Sequence, residues 1–321
     1  MDPVRLYFAG PWTFNKERGT IIGQQITNRL VSYMYPDQLH KWLEFSGKSS
    51  GNMLLDSGAF SAWTKGESID IDSYIQYSLS AIEKARKHHK RLRVVNLDVI
   101  PGNPGSSTQL NKVSSKKNLD SLDKSAQIGF KNLLKMKDAG ITPIHVFHQG
   151  EQFKWLEMMT EHTDYIGVSP ANDMSISARI TWMESVFTYL QNNHIHVKTH
   201  GFAVWMPQVL KTLPFTSTDA ASWRIQAAWG GITYPIGGFA NPDYSKSPSI
   251  IHISQKKSSK GIGILTPEKL KLLETDGYSF EDLQSFDIRC EVNIRYTLGL
   301  EKWINEYRKT VDFNPKKTLF Q

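Results

Sequence analysis

The chain has 321 residues, of which 40% are hydrophobic and 21% charged, and its 38 Lys and Arg against 31 Asp and Glu give a formal net charge of +7. This composition excludes a disordered chain, which would be poorer in apolar residues and more highly charged. The single cysteine, Cys290, excludes an internal disulfide and any zinc or iron–sulfur site that needs paired cysteines.

Short apolar runs alternate with longer amphipathic segments along the whole chain, a pattern typical of buried parallel strands joined by helices. The predicted strands are Arg5–Ala9, 53–56, 93–99, 143–148, Tyr165–Ser169, 197–202 and 215–219. The predicted helices between them are 73–88, 122–139, 152–160, 180–190 and 207–213. An eighth strand is needed after these, and the candidates are Gly231–Tyr234 and 249–254.

This order of elements predicts an α/β fold, a (β/α)8 barrel of the TIM type. A doubly wound open sheet is the alternative, but its first strand is typically followed by a glycine-rich phosphate loop. Here that position reads AGPWTFNKERG. We expect one barrel over residues 1–321, with polar loop insertions at about 102–121 and 254–263 and a C-terminal helix at about 288–311. The insertions are either solvated loops or contacts for a phosphate backbone.

Polar side chains follow the predicted strands at the end where a barrel carries its catalytic groups. Asp56, Asp98 and Asp219 follow three different strands, so we expect them to converge on one mouth. Each alone would be an ordinary helix N-cap. Three together need partners, a metal or a chemical role, because an unpaired buried carboxylate is costly.

Three carboxylates at one mouth permit two kinds of chemistry. They are suitable ligands for Mg²⁺, or they perform glycosidic chemistry, in which one attacks the anomeric carbon and another handles the leaving-group proton. Gln149, with the backbone at Gly150 and Gly167, is suited to reading the edge of a heterocycle. Phe60 is either a stacking surface for such a ring or a core aromatic.

The histidines around the sixth predicted strand are candidate metal ligands. His194 and His196 form an HxH pattern, but they lie at the entry of the strand, away from the catalytic end. We therefore expect no metal there. His200 lies at the catalytic end, where we expect it to line the pocket.

The segment DSGAF at residues 56–60 resembles the DSGGF/Y-Q motif of the tRNA-guanine transglycosylases. An aspartate after strand three, QG after strand four, IG in strand five and an aspartate in strand seven match in the same order, over roughly residues 50–225. The resemblance implies that Asp219 is the nucleophile that bonds to C1′ of the nucleotide, and that Asp56 is the general acid and base. The substrate-binding residues it implies are Ser57, Phe60, Asp98, Gln149, Gly150, Gly167, Val168, Ser169 and His200. Phe60 would stack on the base and His200 would lie on its opposite face.

The chain departs from that family in ways that bear on its substrate. The family's zinc-binding subdomain, with its CxCxxC motif, cannot be built here, and Glu151 follows the QG. Val168 replaces a family glycine, which bears on the 7-substituent that fits. Zinc-free relatives exist among the DNA-guanine transglycosylases of the DpdA type, and this chain is similar to their shorter viral members. The phosphate contacts expected on that basis are Arg224, Lys256, Lys257 and Lys260.

The resemblance implies exchange of guanine in DNA for a 7-deazaguanine base, with 7-cyano-7-deazaguanine expected, through a covalent aspartyl–nucleotide intermediate. The guanine would be flipped out of the stack, and no metal or other cofactor is expected. The basic charge suits a polyanionic partner. Lacking a signal peptide or membrane span, the chain is expected in the cytoplasm, or the host cytoplasm if viral. The alternatives are a zinc-free tRNA-guanine transglycosylase, a Mg²⁺-dependent barrel hydrolase, and an inactive barrel that only binds nucleic acid.

Overall fold

The computed structural model describes residues 1–10, 26–45, 51–101, 116–253 and 265–313. The main sheet contains β1 (Arg5–Ala9), β2 (Asn28–Ser32), β3 (Asn52–Asp56), β4 (Arg91–Val94), β5 (His145–His148), β6 (Tyr165–Ser169), β7 (Lys198–Gly201) and β8 (Ser217–Ala220). All neighbours in this sheet are parallel, in the order β4-β3-β2-β1-β8-β7-β6-β5.

The two outer strands of this sheet meet and close it into a barrel. Val95, just after β4, forms a parallel bridge with Ile144, just before β5. The backbone N–H of Asn96 donates to the carbonyl of Ile144 at 2.8 Å, and the N–H of Ile144 donates to the carbonyl of Val94 at 2.8 Å. The predicted (β/α)8 architecture is confirmed, and the open-sheet alternative is wrong.

Helices follow the strands around the barrel. They are α1 (Pro36–Phe45), α2 (Ala59–Lys65), α3 (Ile71–Lys87), α4 (Lys116–Asp138), α5 (Phe153–Thr160), α6 (Ile176–Asn192), α7 (Pro207–Thr212), α8 (Ser222–Ala228), α9 (Pro267–Thr275) and α10 (Phe286–Arg308). The predicted C-terminal helix is α10. None of the described helices is both long and apolar enough to cross a membrane.

The prediction of the eighth barrel strand was wrong. Gly231–Tyr234 (β9) and Ser249–His252 (β10) are strands, but they pair antiparallel in a separate two-stranded sheet. The missing barrel strand is β2, whose sequence NRLVS carries a charged residue. Arg29 is 1% exposed and lies 3.9 Å from the ring centroid of Trp42. The buried arginine interrupts the apolar run by which a central strand is recognised.

The two predicted insertions fall largely outside the described residues. Residues 102–115 and 254–264 are not described. The last part of the first insertion, 116–121, belongs to helix α4, so that part of the loop prediction was wrong. A lysine- and serine-rich stretch lacks the apolar face by which a short helical start would be recognised.

The barrel interior is filled by an apolar layer of Tyr7, Ala9, Leu30, Leu54, Ile144 and Tyr165. Side chains alternate along a strand. Ser32 and Asp56, which lie two residues beyond Leu30 and Leu54 and pair with each other in register, therefore face the interior nearer the C-terminal mouth. The apolar layer is the floor on which the site is built.

Helix α10 anchors strand β1 from outside the barrel. Glu301 Oε1 accepts a hydrogen bond from the backbone N–H of Leu6 at 2.8 Å. Further along the helix, the buried Arg308 donates to the carbonyls of Leu210 and Phe215, each at 3.0 Å. These bonds satisfy backbone groups that strand β1, the end of helix α7 and the loop before β8 would otherwise leave unpaired.

Candidate active site

A cavity of about 340 Å³ opens at the C-terminal mouth of the barrel. Asp56 from β3, Asp98 from the loop after β4 and Asp219 from β8 all line it. The sequence prediction that the three aspartates meet at one mouth is therefore matched by the geometry. The other polar side chains lining the cavity include Ser32, Gln38, Ser57, Ser169 and Asn172.

Asp56 is held where β3 turns into α2. Its Oδ2 accepts a hydrogen bond from the backbone N–H of Gly58 at 3.1 Å. Gly58 has a φ of 76°, and a Cβ there would lie 2.6 Å from the side chain of Met34, so the turn requires glycine. Burial raises the pKa of Asp56 to about 7, the charges of Asp98 and Asp219 add to the rise, and the Gly58 hydrogen bond opposes it. Asp56 is thus able both to give and to take a proton near neutral pH.

Asp98 is the first member of a buried three-residue array. Its Oδ1 accepts a hydrogen bond from Ser57 Oγ at 3.1 Å, and its Oδ2 lies 2.9 Å from His148 Nε2. The other ring nitrogen, Nδ1, lies 3.1 Å from Glu151 Oε1, while Glu151 Oε2 accepts from the backbone N–H of His148 at 3.1 Å. One imidazole therefore bridges two carboxylates.

His148 is the positive member of that array. Burial lowers its pKa, but the hydrogen bonds to Asp98 and Glu151, together with their charges, outweigh burial and raise the pKa to about 10. The side chains of these three residues are between 2% and 9% exposed. Since the ring stays an imidazolium at neutral pH, it balances carboxylate charge that would otherwise be buried without compensation.

Asp219 is held through one oxygen. Its Oδ1 accepts a hydrogen bond from the backbone N–H of Ala203 at 2.8 Å and lies 3.4 Å from His200 Nε2. Ala203 has a φ of 53°, a left-handed conformation rare for a residue with a Cβ, and this conformation directs its N–H at the carboxylate. Within the described part of the chain, Oδ2 of Asp219 has no hydrogen-bond donor, so it is the oxygen available to a ligand.

Six residues predicted for the site line the cavity: Asp56, Ser57, Phe60, Asp98, Ser169 and Asp219. Phe60 is 43% exposed and stacks on Trp63, with ring centroids 5.9 Å apart. An exposed ring at the mouth fits the stacking role better than the alternative of a core aromatic. Tyr35, which is 45% exposed, is a second aromatic at the same mouth.

Other predicted substrate contacts lie away from the cavity. Gln149 Oε1 accepts from the backbone N–H of Ala171 at 3.0 Å, and its Nε2 donates to the carbonyl of Ala178 at 3.4 Å. The amide therefore braces the loop before α6 instead of facing a ligand. Gly150, the next residue, is not part of the cavity wall either.

Three more residues that were predicted to contact the substrate lie on strands β6 and β7, buried away from the cavity surface. Gly167 leaves room for Phe202, because a Cβ on Gly167 would lie 2.3 Å from that ring. Val168 is fully buried in the layer between barrel and helices. His200 is also fully buried and lies behind Asp219. The cavity wall at this position is Phe202.

The predicted phosphate contacts are only partly described. Arg224 lies on α8, with its guanidinium 5.6 Å from the ring centroid of Phe286. A Cβ on the cavity residue Gly10 would lie 3.5 Å from Arg224 Cδ, so this arginine is near the mouth. Lys256, Lys257 and Lys260 lie outside the described residues.

Sequence reasoning missed part of the cavity wall. The pattern gives no sign of Ser32, Tyr35 and Gln38, because they lie in or directly after β2, which the sequence does not reveal as a strand. The array of His148 and Glu151 did leave a signal, since the string HQGE puts a histidine and a carboxylate three residues apart after a strand. The Ala203 N–H left none, because a backbone donor has no sequence signature.

Within the part of the chain that the structure describes, no three His, Cys, Asp or Glu side chains are grouped so as to hold a metal ion. His194 and His196 are both exposed at the entry to β7. Models of known protein families give no match to this chain, and none of the curated proteins matches it.

Proposed function

We propose that this protein is a base-exchange glycosyltransferase that replaces guanine in DNA by a 7-deazaguanine base, with Asp219 as nucleophile and Asp56 as acid and base. The observation that carries the proposal is the pair of unlike carboxylates in one cavity. Asp219 is held through Oδ1, while the pKa of Asp56 is raised to about 7. A nucleophile and a proton carrier with separate environments are what a double displacement at an anomeric carbon needs.

In the first displacement, Oδ2 of Asp219 attacks C1′ of the flipped nucleotide and the glycosidic C1′–N bond breaks. The electron pair of that bond leaves with guanine, and Asp56 supplies the proton that makes the departing base neutral. In the second displacement, the incoming base gives its ring N–H proton to Asp56, its nitrogen attacks C1′, and Asp219 leaves as a carboxylate. Two inversions retain the anomeric configuration.

The cavity walls are suited to a planar heterocycle with hydrogen-bond donors. A volume of about 340 Å³ is at the small end of ligand pockets, and Phe60, Tyr35 and Phe202 supply aromatic surface. Asp98 offers carboxylate oxygens to the N–H groups of a guanine-like edge. His148 and Glu151 hold that carboxylate in place and balance its charge.

The choice of DNA rests on the resemblance together with the formal charge of +7. Basic charge favours a phosphate backbone of either kind, and a tRNA substrate remains the alternative. The raised pKa values of His148 and Asp56 favour exchange over Mg²⁺-dependent hydrolysis. The imidazolium of His148 already balances Asp98, and Asp56 is half protonated near neutral pH, whereas Mg²⁺ prefers ionised carboxylates.

The test is mass spectrometry of nucleoside digests. Purified protein is incubated with 7-cyano-7-deazaguanine and either duplex DNA or unmodified tRNA, with and without a chelator, and Asp219→Asn is the matched control. We expect the modified deoxynucleoside in DNA only, unaffected by the chelator and absent with the variant. Product in tRNA alone would move the substrate to RNA. Hydrolysis of nucleic acid that the chelator abolishes would replace the proposal by the metal-dependent hydrolase.

A further inference from the structure

We propose that Tyr165, Ser217 and His200 form a directional hydrogen-bond chain that presents the Nε2–H of His200 to Oδ1 of Asp219. This chain would leave Oδ2 free to attack and would stabilise Asp219 as the leaving group in the second displacement. The inference rests on the proposed role of Asp219 as nucleophile. It gives His200 a positioning role instead of the contact with the base that the sequence predicted.

The hydrogen-bond chain is buried over its whole length. The phenol of Tyr165 is hydrogen-bonded to Ser217 Oγ, which lies 2.6 Å from His200 Nδ1. His200 and Ser217 are both 0% exposed. The imidazole is held edge-on by Tyr7 and Phe202, with ring centroids at 5.8 and 4.6 Å. These contacts restrict the movement of the ring, which lies with Nε2 3.4 Å from Oδ1 of Asp219.

The hydroxyl of Tyr165 determines which group donates in each hydrogen bond. Within the described chain, Ser217 Oγ is the one hydrogen-bond partner of the Tyr165 hydroxyl, and a buried O–H without an acceptor is costly. Tyr165 therefore donates to Ser217. The Ser217 hydroxyl then donates to Nδ1 of His200, which must be unprotonated to accept, and the ring proton of His200 is on Nε2.

The last member of the hydrogen-bond chain, His200, lies next to the proposed nucleophile, Asp219. His200 Nε2 is buried, makes no hydrogen bond within the described chain, and lies 3.4 Å from Asp219 Oδ1. The N–H of Ala203 is bonded to the same oxygen. A small approach of the ring would complete a second bond to Oδ1. Catalytic hydrogen bonds that are long in a free enzyme commonly tighten in the reacting complex.

The two donors on Oδ1 affect the two displacements differently. When Oδ2 is bonded to C1′, Oδ1 is the carbonyl oxygen of the ester. As the C1′–Oδ2 bond breaks, negative charge returns to the carboxylate, and preorganised donors at Oδ1 stabilise it. Loss of the Nε2–H should therefore slow decay of the covalent intermediate more than its formation.

The test follows both half-reactions by rapid quench and denaturing gel. Formation of the protein–DNA adduct is timed without incoming base, and its decay is timed after the base is added. We expect Ser217→Ala and His200→Leu to slow decay about tenfold, the usual effect of losing one charge-assisted hydrogen bond, and so to accumulate adduct. His200→Gln, whose amide reaches the position of Nε2, should restore most of the rate.

Thr218→Val is the matched control for Ser217→Ala. Thr218 is the next residue on β8, is fully buried, and its hydroxyl has no hydrogen-bond partner within the described chain. We expect this variant to behave as wild type in both half-reactions. Equal slowing of formation and decay in Ser217→Ala, or no rescue by a folded His200→Gln, would overturn the proposal.

A second readout does not depend on the reaction. The imidazole ¹⁵N spectrum of His200 should show the proton on Nε2 in the wild type, and should lose that preference in Ser217→Ala. A proton on Nδ1 in the wild type would overturn the hydrogen-bond chain whatever the protein catalyses. Absence of any adduct from the wild type would overturn the proposed function, and with it the catalytic part of this inference.

Discussion

At the scale of single residues, the three aspartates of the cavity differ in what surrounds them. Asp98 is bonded to an imidazolium, Asp219 is held by a backbone N–H, and Asp56 is removed from water beside the other two. Environments that differ in this way allow one site to assign different roles to the same residue type.

The pH dependence of adduct formation tests the acid role that we propose for Asp56. Because only the protonated form can neutralise the departing base, and because its pKa is raised to about 7, the rate of adduct formation should fall as pH rises through about 7. It should be roughly tenfold lower at pH 8 than on the acidic plateau. Single-turnover kinetics between pH 5.5 and 8.5 would measure this, with folding checked by circular dichroism at each pH.

The variant Asp56→Asn is the control for that profile. A carboxyl whose pKa is higher in the folded than in the unfolded protein lowers the free energy of unfolding as pH rises from about 4 to 7. Asp56→Asn removes this effect, so the variant should be more stable than wild type at pH 8. It should also be inactive, because it lacks the proton donor. A rate that stays flat from pH 6 to 8, or an active Asp56→Asn, would contradict the assignment.

Removing His148 tests the charge balance around Asp98. His148→Leu leaves Asp98 and Glu151 buried without their cation, and breaking a buried ion pair in this way costs about 3–5 kcal/mol of unfolding free energy. Denaturant unfolding at pH 7 measures the loss, and adding Glu151→Gln should recover part of it. A loss below about 1 kcal/mol at pH 7 would show that the array is not charged as inferred.

The residues of the site that could be predicted are those whose position depends on strand ends. Asp56, Asp98 and Asp219 follow from the rule that barrel chemistry sits at C-terminal strand ends. Gln149 could not be placed, because it follows β5 by one residue and the inward position is taken by His148. Pattern matching identifies a residue type near a strand end, but side-chain alternation decides which one faces the cavity.

At the scale of elements, the pairing of β6 and β7 shapes the cavity wall. Gly167 lies opposite His200 in register, and its missing side chain is replaced by the ring of Phe202. That ring contacts His200 and lines the cavity. The glycine of strand β6 therefore acts on the site indirectly, through packing.

Gly167→Ala tests this element. A Cβ 2.3 Å from Phe202 forces the ring to move, so we expect a loss of about 1–3 kcal/mol in unfolding free energy and slower base exchange. Gly129→Ala on α4 is the matched control, because its Cβ would meet nothing closer than 3.5 Å and alanine favours a helix. Thermal unfolding and exchange rates measure both. Combining Gly167→Ala with Phe202→Leu should restore part of the stability or of the exchange rate. If it restores neither, the packing explanation is contradicted.

The missed strand shows where element prediction from sequence fails. In β2, the guanidinium of Arg29 is buried against Trp42, and this contact joins residues from two elements. A pattern read from the local sequence contains a charged residue here, and therefore predicts that the segment is exposed. The β9–β10 pair was misassigned for the opposite reason, since both are apolar enough for a barrel strand while their antiparallel pairing depends on the fold.

At the scale of the whole molecule, closure of the barrel brings the site together. Asp56 and Asp219 are 163 residues apart in number, yet β3 and β8 are separated in the sheet only by β2 and β1. The repeated strand–helix pattern was enough to predict this architecture, because parallel strands joined by helices have few ways to pack. Assigning the wrong eighth strand did not alter the fold class, since the other seven were correct.

The most direct test of the account is the identity of the covalent intermediate. The protein is incubated with guanine-containing DNA, quenched with acid, digested with protease and nuclease, and analysed by mass spectrometry. The account predicts a nucleotide attached to the peptide that contains Asp219, absent from Asp219→Asn. Base exchange without such an adduct, or an adduct on Asp56 or Asp98 instead, would contradict it.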